Sequence, residues 1–306
     1  MLFALSIFSD GSAQNIKEQN YKVTSAKKGD VNGDGGVTMS DANMIVNAFL
    51  SGENLEGADL NGDGDVTMSD ANQAVNIFLR GADTEEGMEN GHEYVDLGLS
   101  VKWAKCNVGA QHPQDYGNYF AWGETEPKED YSSAAYKWKE NGLLTKYCVN
   151  SYSGTVDNRT TLELDDDAAT ANWQGAWRMP TLTELEELCD SCLWVWTSSY
   201  NDTGVKGYIV FKAKDKADRG KKVYMNMAWD TSTSATYSLS DNHIFLPAAG
   251  WYEGMRNEAT GSNGCFLTAT LGQNNDVCYL KFGSGYVYDD SYCNRYYGRA
   301  VRPVCP

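Results

Sequence analysis

The sequence predicts an α+β protein in which a small all-α module precedes a larger domain of short strands and one clear helix. Two features of the chain support this prediction. A 24-residue unit at residues 29–52 recurs at residues 58–81, and the composition changes after residue 92, with all nine tryptophans following residue 100. The length of 306 residues exceeds one ordinary compact unit and fits about two domains.

The chain is strongly acidic, with 25 Lys and Arg against 42 Asp and Glu and a formal net charge of −17. Residues 29–90 hold 13 acidic residues and one basic residue, so most of this charge belongs to one short segment. A surface of this sign repels phosphate backbones. The composition therefore argues against a nucleic-acid partner. The concentration of acidic residues in residues 29–90 must have a local cause.

The N-terminus is typical of an exported protein. Residues 2–8 (LFALSIF) are apolar and are followed by the small-residue pattern of residues 11–14, so we interpret residues 1–13 as the remnant of a secretory signal and residues 14–28 as a linker. An N-terminal strand is the alternative. No apolar run approaches the ~20 residues of a membrane-spanning helix. The sequence predicts a secreted or cell-surface location and no transmembrane segment.

Each copy of the repeat opens with a loop that is typical of a cation site. Glycine at loop position 6, Gly35 or Gly64, permits a sharp turn that gathers oxygen ligands around one ion. Carboxylate and amide oxygens at this spacing favour Ca²⁺ over Mg²⁺. The ligands predicted at loop positions 1, 3, 5 and 12 are Asp30, Asn32, Asp34 and Asp41 in the first copy, and Asp59, Asn61, Asp63 and Asp70 in the second.

A helix is predicted after each loop. Ser40 and Ser69 are the predicted N-caps, and Gly52 and Gly81 are predicted to end the helices. The apolar residues between them have the spacing of one buried helix face: Met44, Ile45, Ala48 and Phe49 in the first copy, and Ala71, Val75, Phe78 and Leu79 in the second. Two loop-helix units can bury their apolar faces against each other once metal neutralises the carboxylates. This module is predicted to span residues 29–82.

These residues resemble type I dockerins, which carry two half EF-hand repeats and plug into cohesin domains. The resemblance implies that the Asp and Asn residues above are calcium ligands, and that Met39-Ser40 and Met68-Ser69 occupy the positions that select a cohesin. Methionine at the first position of each pair departs from the usual Ser or Thr. A calcium-stapled spacer without a cohesin partner is the alternative.

The rest of the chain reads as a polar linker, residues 83–92, followed by a larger domain, residues 93–306. Strands are predicted around a glycine turn in residues 94–103, at residues 207–213 and at residues 244–246. One helix is clear, because Thr181 and Glu184 form a capping box ahead of an apolar stripe. The abundance of Tyr, Trp, Gly and Asn favours strands and structured loops.

Several blocks of the larger domain together resemble the major paralogous domain (FISUMP-like) family of bacterial surface proteins. The blocks are VDLGLSVKWAKCNVGA at 95–110, YGNYFAWGETEPK at 116–128, ELDDDAATANWQGAWRMPT at 163–181, IFLPAAGW at 244–251 and GRAVRPV at 298–304. The resemblance implies a C-type-lectin-like, formylglycine-enzyme-like fold with a long irregular binding face.

The C-terminal stretch, residues 282–301, has the composition of a recognition surface, because tyrosine offers rigid contact area with a polar tip and Ser, Gly and Asn adapt their hydrogen bonds. A glycan that stacks on aromatic faces and a protein are both candidate ligands. The predicted ligand-binding residues are Tyr286, Tyr288, Asp289, Asp290, Tyr292, Arg295, Tyr296, Tyr297 and Arg299.

The same stretch contains no Lys, Gln, Glu, Met or Trp after Phe282. It resembles the variable region of diversity-generating retroelement target proteins, which implies that Cys265, Leu267, Cys278 and Cys293 are products of diversification and not disulfide partners. A non-varying relative, whose tyrosines pack between strands, is the alternative that we favour. Pairing of the eight cysteines stays open at this stage.

Catalytic patterns are weak. The three histidines have no zinc-ligand spacing, and Cys189 and Cys192 lie where a helix dipole disfavours a thiolate. We therefore predict a non-catalytic, exported ligand-binding or adhesion protein with Ca²⁺ and a cohesin-like partner. The alternative is a glycan-directed enzyme in a cellulosome-like, polysaccharide-degrading complex, for which Glu124, Glu126, Asp289 and Asp290 are candidate carboxylates by type alone.

Overall fold

A computed structural model describes most of the larger domain and part of the repeat module. The residues predicted as signal remnant and first linker, 1–28, lie outside the described residues. The described residues are 29–32, 38–53, 55, 57–60, 65–68, 70, 71, 74, 86–225 and 237–306.

The first repeat carries helix α1 at Met39–Ser51. Its N-cap is Thr38, so the prediction of Ser40 as N-cap is wrong by two residues. Thr38 is the N-cap because it completes a capping box. Its hydroxyl accepts a hydrogen bond from the Ser40 amide, and the Asp41 carboxylate accepts one from the Thr38 amide. Gly52 ends the helix in the left-handed region at φ 70°, as predicted. Ser69 and Gly81 lie outside the described residues.

Small apolar side chains from both repeats form one core cluster in the module. Half-buried valines and Leu55 pack around it. Alanine predominates in this cluster. Its small side chain lets the two repeats approach closely, but each alanine buries only a little apolar area. The buried members of this cluster are Ala42, Ile45, Ala58, Leu60, Ala71 and Ala74.

The larger domain is built from short strands. Seventeen strands are present in the described part of the chain: β1 Glu86–Glu89, β2 His92–Val95, β3 Lys102–Ala104, β4 Tyr119–Phe120, β5 Lys139–Glu140, β6 Leu143–Leu144, β7 Cys192–Thr197, β8 Gly207–Lys212, β9 Lys222–Val223, β10 His243–Pro247, β11 Trp251–Glu253, β12 Arg256–Glu258, β13 Asn263–Leu271, β14 Val277–Gly283, β15 Tyr286–Cys293, β16 Arg299–Ala300 and β17 Val304–Cys305.

These strands form three principal sheets. One has the order β1-β2-β3-β17 and joins the start of the domain to its end. A second has the order β10-β8-β7-β9, and the third has the order β15-β14-β13-β16-β4. The pairs β5-β6 and β11-β12 are separate hairpins. The strands predicted at residues 94–103, 207–213 and 244–246 are confirmed as β2, β3, β8 and β10.

The segment expected to be a linker, residues 83–92, contributes strand β1 to the first sheet. β1 and β2 form a hairpin whose turn is Asn90-Gly91, with both residues in the left-handed region at φ 42° and 84°. Asn-Gly is the preferred sequence for this two-residue turn, because both residues tolerate positive φ. The sheet therefore begins within the predicted linker.

The described part of the larger domain contains two α-helices, α2 at Ala168–Trp173 and α3 at Leu182–Ser191. The predicted capping box of α3 is confirmed: the Thr181 side chain accepts from the Glu184 amide, and the Glu184 carboxylate accepts from the Thr181 amide. Leu185 and Leu188 of α3 join the main core. With α1, the described residues hold three α-helices and seventeen strands, a mostly β composition that is consistent with the predicted α+β class. No described helix has the length and apolarity to cross a bilayer.

Candidate functional site

The first loop is closed by the carboxylate at its twelfth position. Asp41 is fully buried. Its Oδ1 accepts from the amides of Val31 and Asn32 at 3.0 and 3.2 Å, and its Oδ2 accepts from the amide and hydroxyl of Thr38 at 2.8 and 2.9 Å. These hydrogen bonds outweigh burial, which alone would raise the pKa of Asp41, and they hold that pKa below its usual value.

The second loop repeats this geometry. The fully buried Asp70 accepts from the Leu60 amide at 2.8 Å on Oδ1, and from the Thr67 amide and hydroxyl at 2.8 and 2.9 Å on Oδ2. The duplication in sequence is therefore a duplication in structure. The two threonines were not predicted to act here, although the Thr-x-x-Asp spacing is a capping-box pattern.

The remaining predicted calcium ligands are partly visible. Asp30 is buried, Asp59 is half-buried and Asn32 is exposed, whereas Asp34, Asn61 and Asp63 lie outside the described residues. Within the described part of the module, no three His, Cys, Asp or Glu side chains gather at metal-binding distances. The chemistry of the donors, hard carboxylate and amide oxygens next to a closed loop, fits a calcium ion.

Four large apolar side chains face solvent among the described residues of the module. Met39 and Met68, which are equivalent in the two repeats, are each 43% exposed. Phe49 and Leu50 at the end of α1 are also exposed, so the prediction that Phe49 belongs to the buried stripe is wrong. Ile45 and Ala48, which belong to the same predicted stripe, are buried.

The tyrosine-rich stretch forms β15, which is the edge strand of the five-stranded sheet. Its pairing with β14 contains one extra residue on β15, between the pairs Lys281–Tyr288 and Tyr279–Ser291. Such a bulge reverses the side on which the following residues lie. Tyr288 pairs with Lys281 and Tyr292 pairs with Cys278, and these two partners lie on opposite faces of β14. The exposed tyrosines therefore occupy two faces.

Tyr286 and Tyr288 form a stacked pair on the first face. Their ring centroids lie 5.0 Å apart with 24° between the ring planes. Asn263 donates from Nδ2 to the Tyr286 hydroxyl at 2.5 Å, which orients the inner ring. Tyr288 is 54% exposed, and Lys281 beside it lies over the Trp251 ring at 5.9 Å. The pair offers a rigid, amphipathic contact area.

Tyr292 lies on the face that meets helix α3. It is 46% exposed, and its ring covers Gly272, where a Cβ would come within 2.5 Å of the ring. The neighbouring thiol of Cys278 and the carboxylates of Asp290 and Glu186 raise the pKa of its hydroxyl. Asp290 is exposed and Asp289 is half-buried.

Tyr296 and Tyr297 follow β15 and lie against the rest of the domain. Their rings make an edge-to-face contact at 5.0 Å, and both are half-buried. The Tyr297 hydroxyl donates to the Glu253 carboxylate at 2.8 Å. Tyr296 packs against a small cluster that includes Tyr131 and Tyr136.

The two predicted ligand-binding arginines lie in the interior. Arg295 donates to the carbonyls of Asn275, Lys146 and Tyr147 at 2.7 to 3.3 Å, and its guanidinium lies 5.3 Å from the Trp122 ring. Arg299 lies between Tyr279 and Tyr297, at 4.2 and 5.4 Å from their rings. Neither guanidinium is placed to contact a ligand on the outer face of β15.

The catalytic candidate Glu124, the buried carboxylate of Asp166 and the CxxC cysteines are held by structural contacts. Glu124 is buried and accepts from the Lys128 ammonium and the Lys137 amide. Asp166 accepts from Lys146 and from the Tyr147 hydroxyl at 2.5 and 2.7 Å. All eight cysteines are free thiols, and burial raises the pKa of Cys192 to about 12. Core packing of the CxxC pair is confirmed, since Cys189 and Cys192 both belong to the main cluster.

Comparison with known families identifies one region of the chain. Residues 28–79 match the family model described as the Dockerin type I domain. This match confirms the dockerin-like module and is consistent with Ca²⁺, since domains of this type bind calcium. No curated protein matches the chain, and no solved structure matches it.

Proposed function

We propose that the chain is an exported, non-catalytic ligand-binding or adhesion protein. Its dockerin module attaches it to a cohesin-like domain, and its larger domain, a C-type-lectin-like scaffold, presents the tyrosines of β15 to a glycan or protein ligand. The observation that carries this proposal is the stacked, solvent-facing pair of Tyr286 and Tyr288 on an edge strand.

The exposed methionines support attachment through the module. Met39 and Met68 occupy equivalent positions and are equally exposed, so each repeat offers an apolar contact beside a loop. Dockerin type I domains bind cohesin domains, and exposed apolar side chains next to acidic loops suit a specific protein interface.

Calcium would be held by the loop oxygens of each repeat. Its chemistry would be to neutralise carboxylates that otherwise repel one another across a short acidic module. The chain supplies Asp30, Asn32, Asp34 and Asp41 in one loop, and Asp59, Asn61, Asp63 and Asp70 in the other. The buried Asp41 and Asp70 would in addition fasten each loop to its helix.

The state of the enclosed carboxylates supports a non-catalytic role. A glycosidase needs an acid/base pair of carboxyl groups about 5–9.5 Å apart in a cleft. Glu124 and Asp166 are instead engaged by lysines and hydroxyl or amide donors. Asp289 and Asp290 lie on an open edge strand, where water is not excluded.

A ligand-capture experiment tests the proposal. The full chain is applied to arrays of polysaccharides and of cell-surface proteins, with Tyr288→Ala as the variant and Tyr152→Ala as a control, since Tyr152 is 91% exposed elsewhere in the domain. Tyr288→Ala should weaken capture at least about tenfold, and it should lower the stability by about 1 kcal/mol or less because half of the ring is already in water. Equal capture by both variants refutes the role of β15.

A second experiment tests attachment. Immobilised type I cohesin domains should retain the full chain in calcium and release it in EDTA. The double variant Met39→Asp, Met68→Asp should lose retention, whereas Glu53→Ala, which alters an exposed acid of the same module, should not. Retention that survives the double variant would show that the methionines do not contact the partner.

The retroelement interpretation makes a separate prediction about variation. Tyr288, Asp290, Tyr292 and Asn294 are exposed in alternation, whereas Arg295 is buried. Sequencing the 3′ end of the gene from related isolates should find changes at these exposed positions and at Cys265, Cys278 and Cys293, together with a nearby reverse transcriptase and template copy. Identical 3′ ends would support a non-varying protein.

A further inference from the structure

A polar cavity lies beside the tyrosine strand, and the sequence patterns gave no sign of it. Its volume is about 200 Å³, and it forms where the β5–β6 hairpin, the turn between β13 and β14, and the segment after β15 meet. Side chains with hydroxyl, amide and carboxylate groups dominate its wall. They include Tyr136, Asn274, Asn275, Asp276, Asn294 and Tyr296.

Arg295 makes this cavity a preformed one. Its Nε and Nη2 donate to the Asn275 carbonyl at 3.0 and 2.7 Å, which fixes the β13–β14 turn. Its other donors reach the carbonyls of Lys146 and Tyr147, beyond the β5–β6 hairpin. One buried guanidinium thus joins separate parts of the wall, so little ordering remains to be done when a ligand enters.

The turn that lines the cavity has two consecutive residues in the left-handed region, Asn274 and Asn275, at φ 57° and 66°. Asparagine adopts this region more readily than most residues with a side chain. Arg295 and the Val149 amide, which donates to Asn275 Oδ1 at 2.7 Å, hold the turn in place.

Asn275 also has an unsatisfied hydrogen-bond donor in its side chain. The residue is 94% buried, because its exposed fraction is 6%. Its Oδ1 is used by Val149, but its Nδ2 has no hydrogen-bond partner anywhere in the described part of the chain. A buried amide donor without a partner is costly. The Nδ2 atom is itself enclosed, so it lies behind the cavity wall and does not contact a ligand.

The charges of the wall favour a neutral ligand. Asp276 and Lys139 carry opposite charges, and the guanidinium of Arg295 is already shared among backbone carbonyls. An anion would meet Asp276, and a cation would meet Lys139. The wall combines amides, which donate and accept hydrogen bonds, with a carboxylate, which accepts them, and these groups lie next to tyrosine rings. This combination suits a ring that carries several adjacent hydroxyl groups.

We infer that this cavity binds one neutral, polyhydroxylated sugar ring. The volume of about 200 Å³ is below the ~300–1,000 Å³ of pockets for drug-sized ligands, so a single ring suits it better than an oligosaccharide. The inference deepens the proposed ligand-binding role and rests on it, but it uses a site separate from the outer faces of β15. Asn294 and Tyr296, which line the cavity, directly follow that strand.

The test uses a panel of neutral monosaccharides and their methyl glycosides, studied by saturation-transfer NMR and titration against the full chain. For a ligand of this size we expect a dissociation constant of about 1 mM for at least one sugar. A methyl glycoside that binds as well as the free sugar indicates the end of a glycan as the source. Binding of the free sugar alone indicates a free monosaccharide.

Two variants locate the site. Asn294→Ala, at an exposed position, and Asp276→Asn should each weaken sugar binding about tenfold or more with an unchanged melting temperature. Tyr288→Ala should leave sugar binding unchanged, so the cavity and the β15 surface can fail independently. The inference is overturned if no neutral sugar gives a saturation-transfer signal at a concentration about ten times the expected dissociation constant. Binding of charged sugars alone also overturns it.

Discussion

The most direct test of the module is the substitution Asp41→Ala. Asp41 is fully buried, and its two oxygens accept four hydrogen bonds, three from backbone amides and one from the Thr38 hydroxyl. Alanine removes every acceptor at once and also breaks the capping box of α1. The loop then loses the connection between its beginning, at Val31 and Asn32, and its end, at Thr38.

The expected magnitude follows from these contacts. A hydrogen bond to a charged group contributes roughly 1.5 kcal/mol or more, and loss of an N-cap costs ~0.5–2 kcal/mol. Water can reach the exposed Asn32 after the change, so the contributions do not add in full. We expect the module to lose about 3 kcal/mol, which corresponds to a ~100-fold rise in the population of its open form.

Hydrogen exchange measured by mass spectrometry on the full chain isolates this effect. Amides of residues 38–52 should exchange ~100-fold faster in Asp41→Ala than in the wild type, in EDTA, and calcium should protect the wild type alone. All nine tryptophans follow residue 100, so tryptophan fluorescence reports the larger domain and should be unchanged. Glu53→Ala is the control, because it removes an exposed acid of the same module.

Equal exchange in Asp41→Ala and Glu53→Ala would refute the reasoning, because it would mean that the four hydrogen bonds do not hold the loop. Protection of the wild type that does not respond to calcium would leave the hydrogen bonds in place but refute the ion as the cause of stability.

Two further predictions concern the larger domain. Arg295→Ala should lower its stability by about 3–5 kcal/mol, seen in thermal melts by tryptophan fluorescence, because three backbone carbonyls lose their buried donor; a loss below ~1 kcal/mol would contradict this. Burial opposes ionisation of Asp166, but the hydrogen bonds from Lys146 and Tyr147 outweigh burial and lower the pKa of Asp166. Ionised Asp166 therefore stabilises the fold fully above its unfolded pKa of 3.8, and this stabilisation is lost as the pH falls through the lower folded pKa. Asp166→Asn should flatten that acid limb, and an unchanged pH profile would be the contrary result.

Local signals predicted the elements they govern. The α3 capping box at Thr181 and Glu184 and the stop of α1 at Gly52 depend on residues within four positions of each other, and the structure has both. Strands β8 and β10 read as apolar runs because both lie inside the domain.

Two errors arose where two local signals competed. The acidic, polar composition of residues 83–92 suggested a linker, but Asn90-Gly91 is a strong hairpin signal and β1 pairs with β2 around it. Ser40 suggested an N-cap by residue type, but Thr38 lies three residues before Asp41 and so completes the reciprocal cap.

Other features depend on distant partners and leave no local signal. Arg295 was predicted on the binding face from its tyrosine neighbours, yet it is pinned by the carbonyl of Tyr147, 148 positions away in the chain. The cavity needs the same long-range contact, since its wall comes from three separate segments. Only the fold brings such groups together. Composition alone can indicate a recognition surface, but it cannot distinguish the exposed residues that contact a ligand from the buried residues that support them.

The bulge in β15 has the largest consequence for recognition. Tyr286, Tyr288 and Tyr292 are separated by even numbers of residues, so a regular strand would place all three on one face. One extra residue between Tyr288 and Ser291 moves Tyr292 to the face beside α3. A flat ligand can therefore contact Tyr288 or Tyr292 but not both, whereas a ligand that grips the edge of the sheet contacts both. The ratio of the losses caused by Tyr288→Ala and Tyr292→Ala thus reports how the ligand approaches the strand.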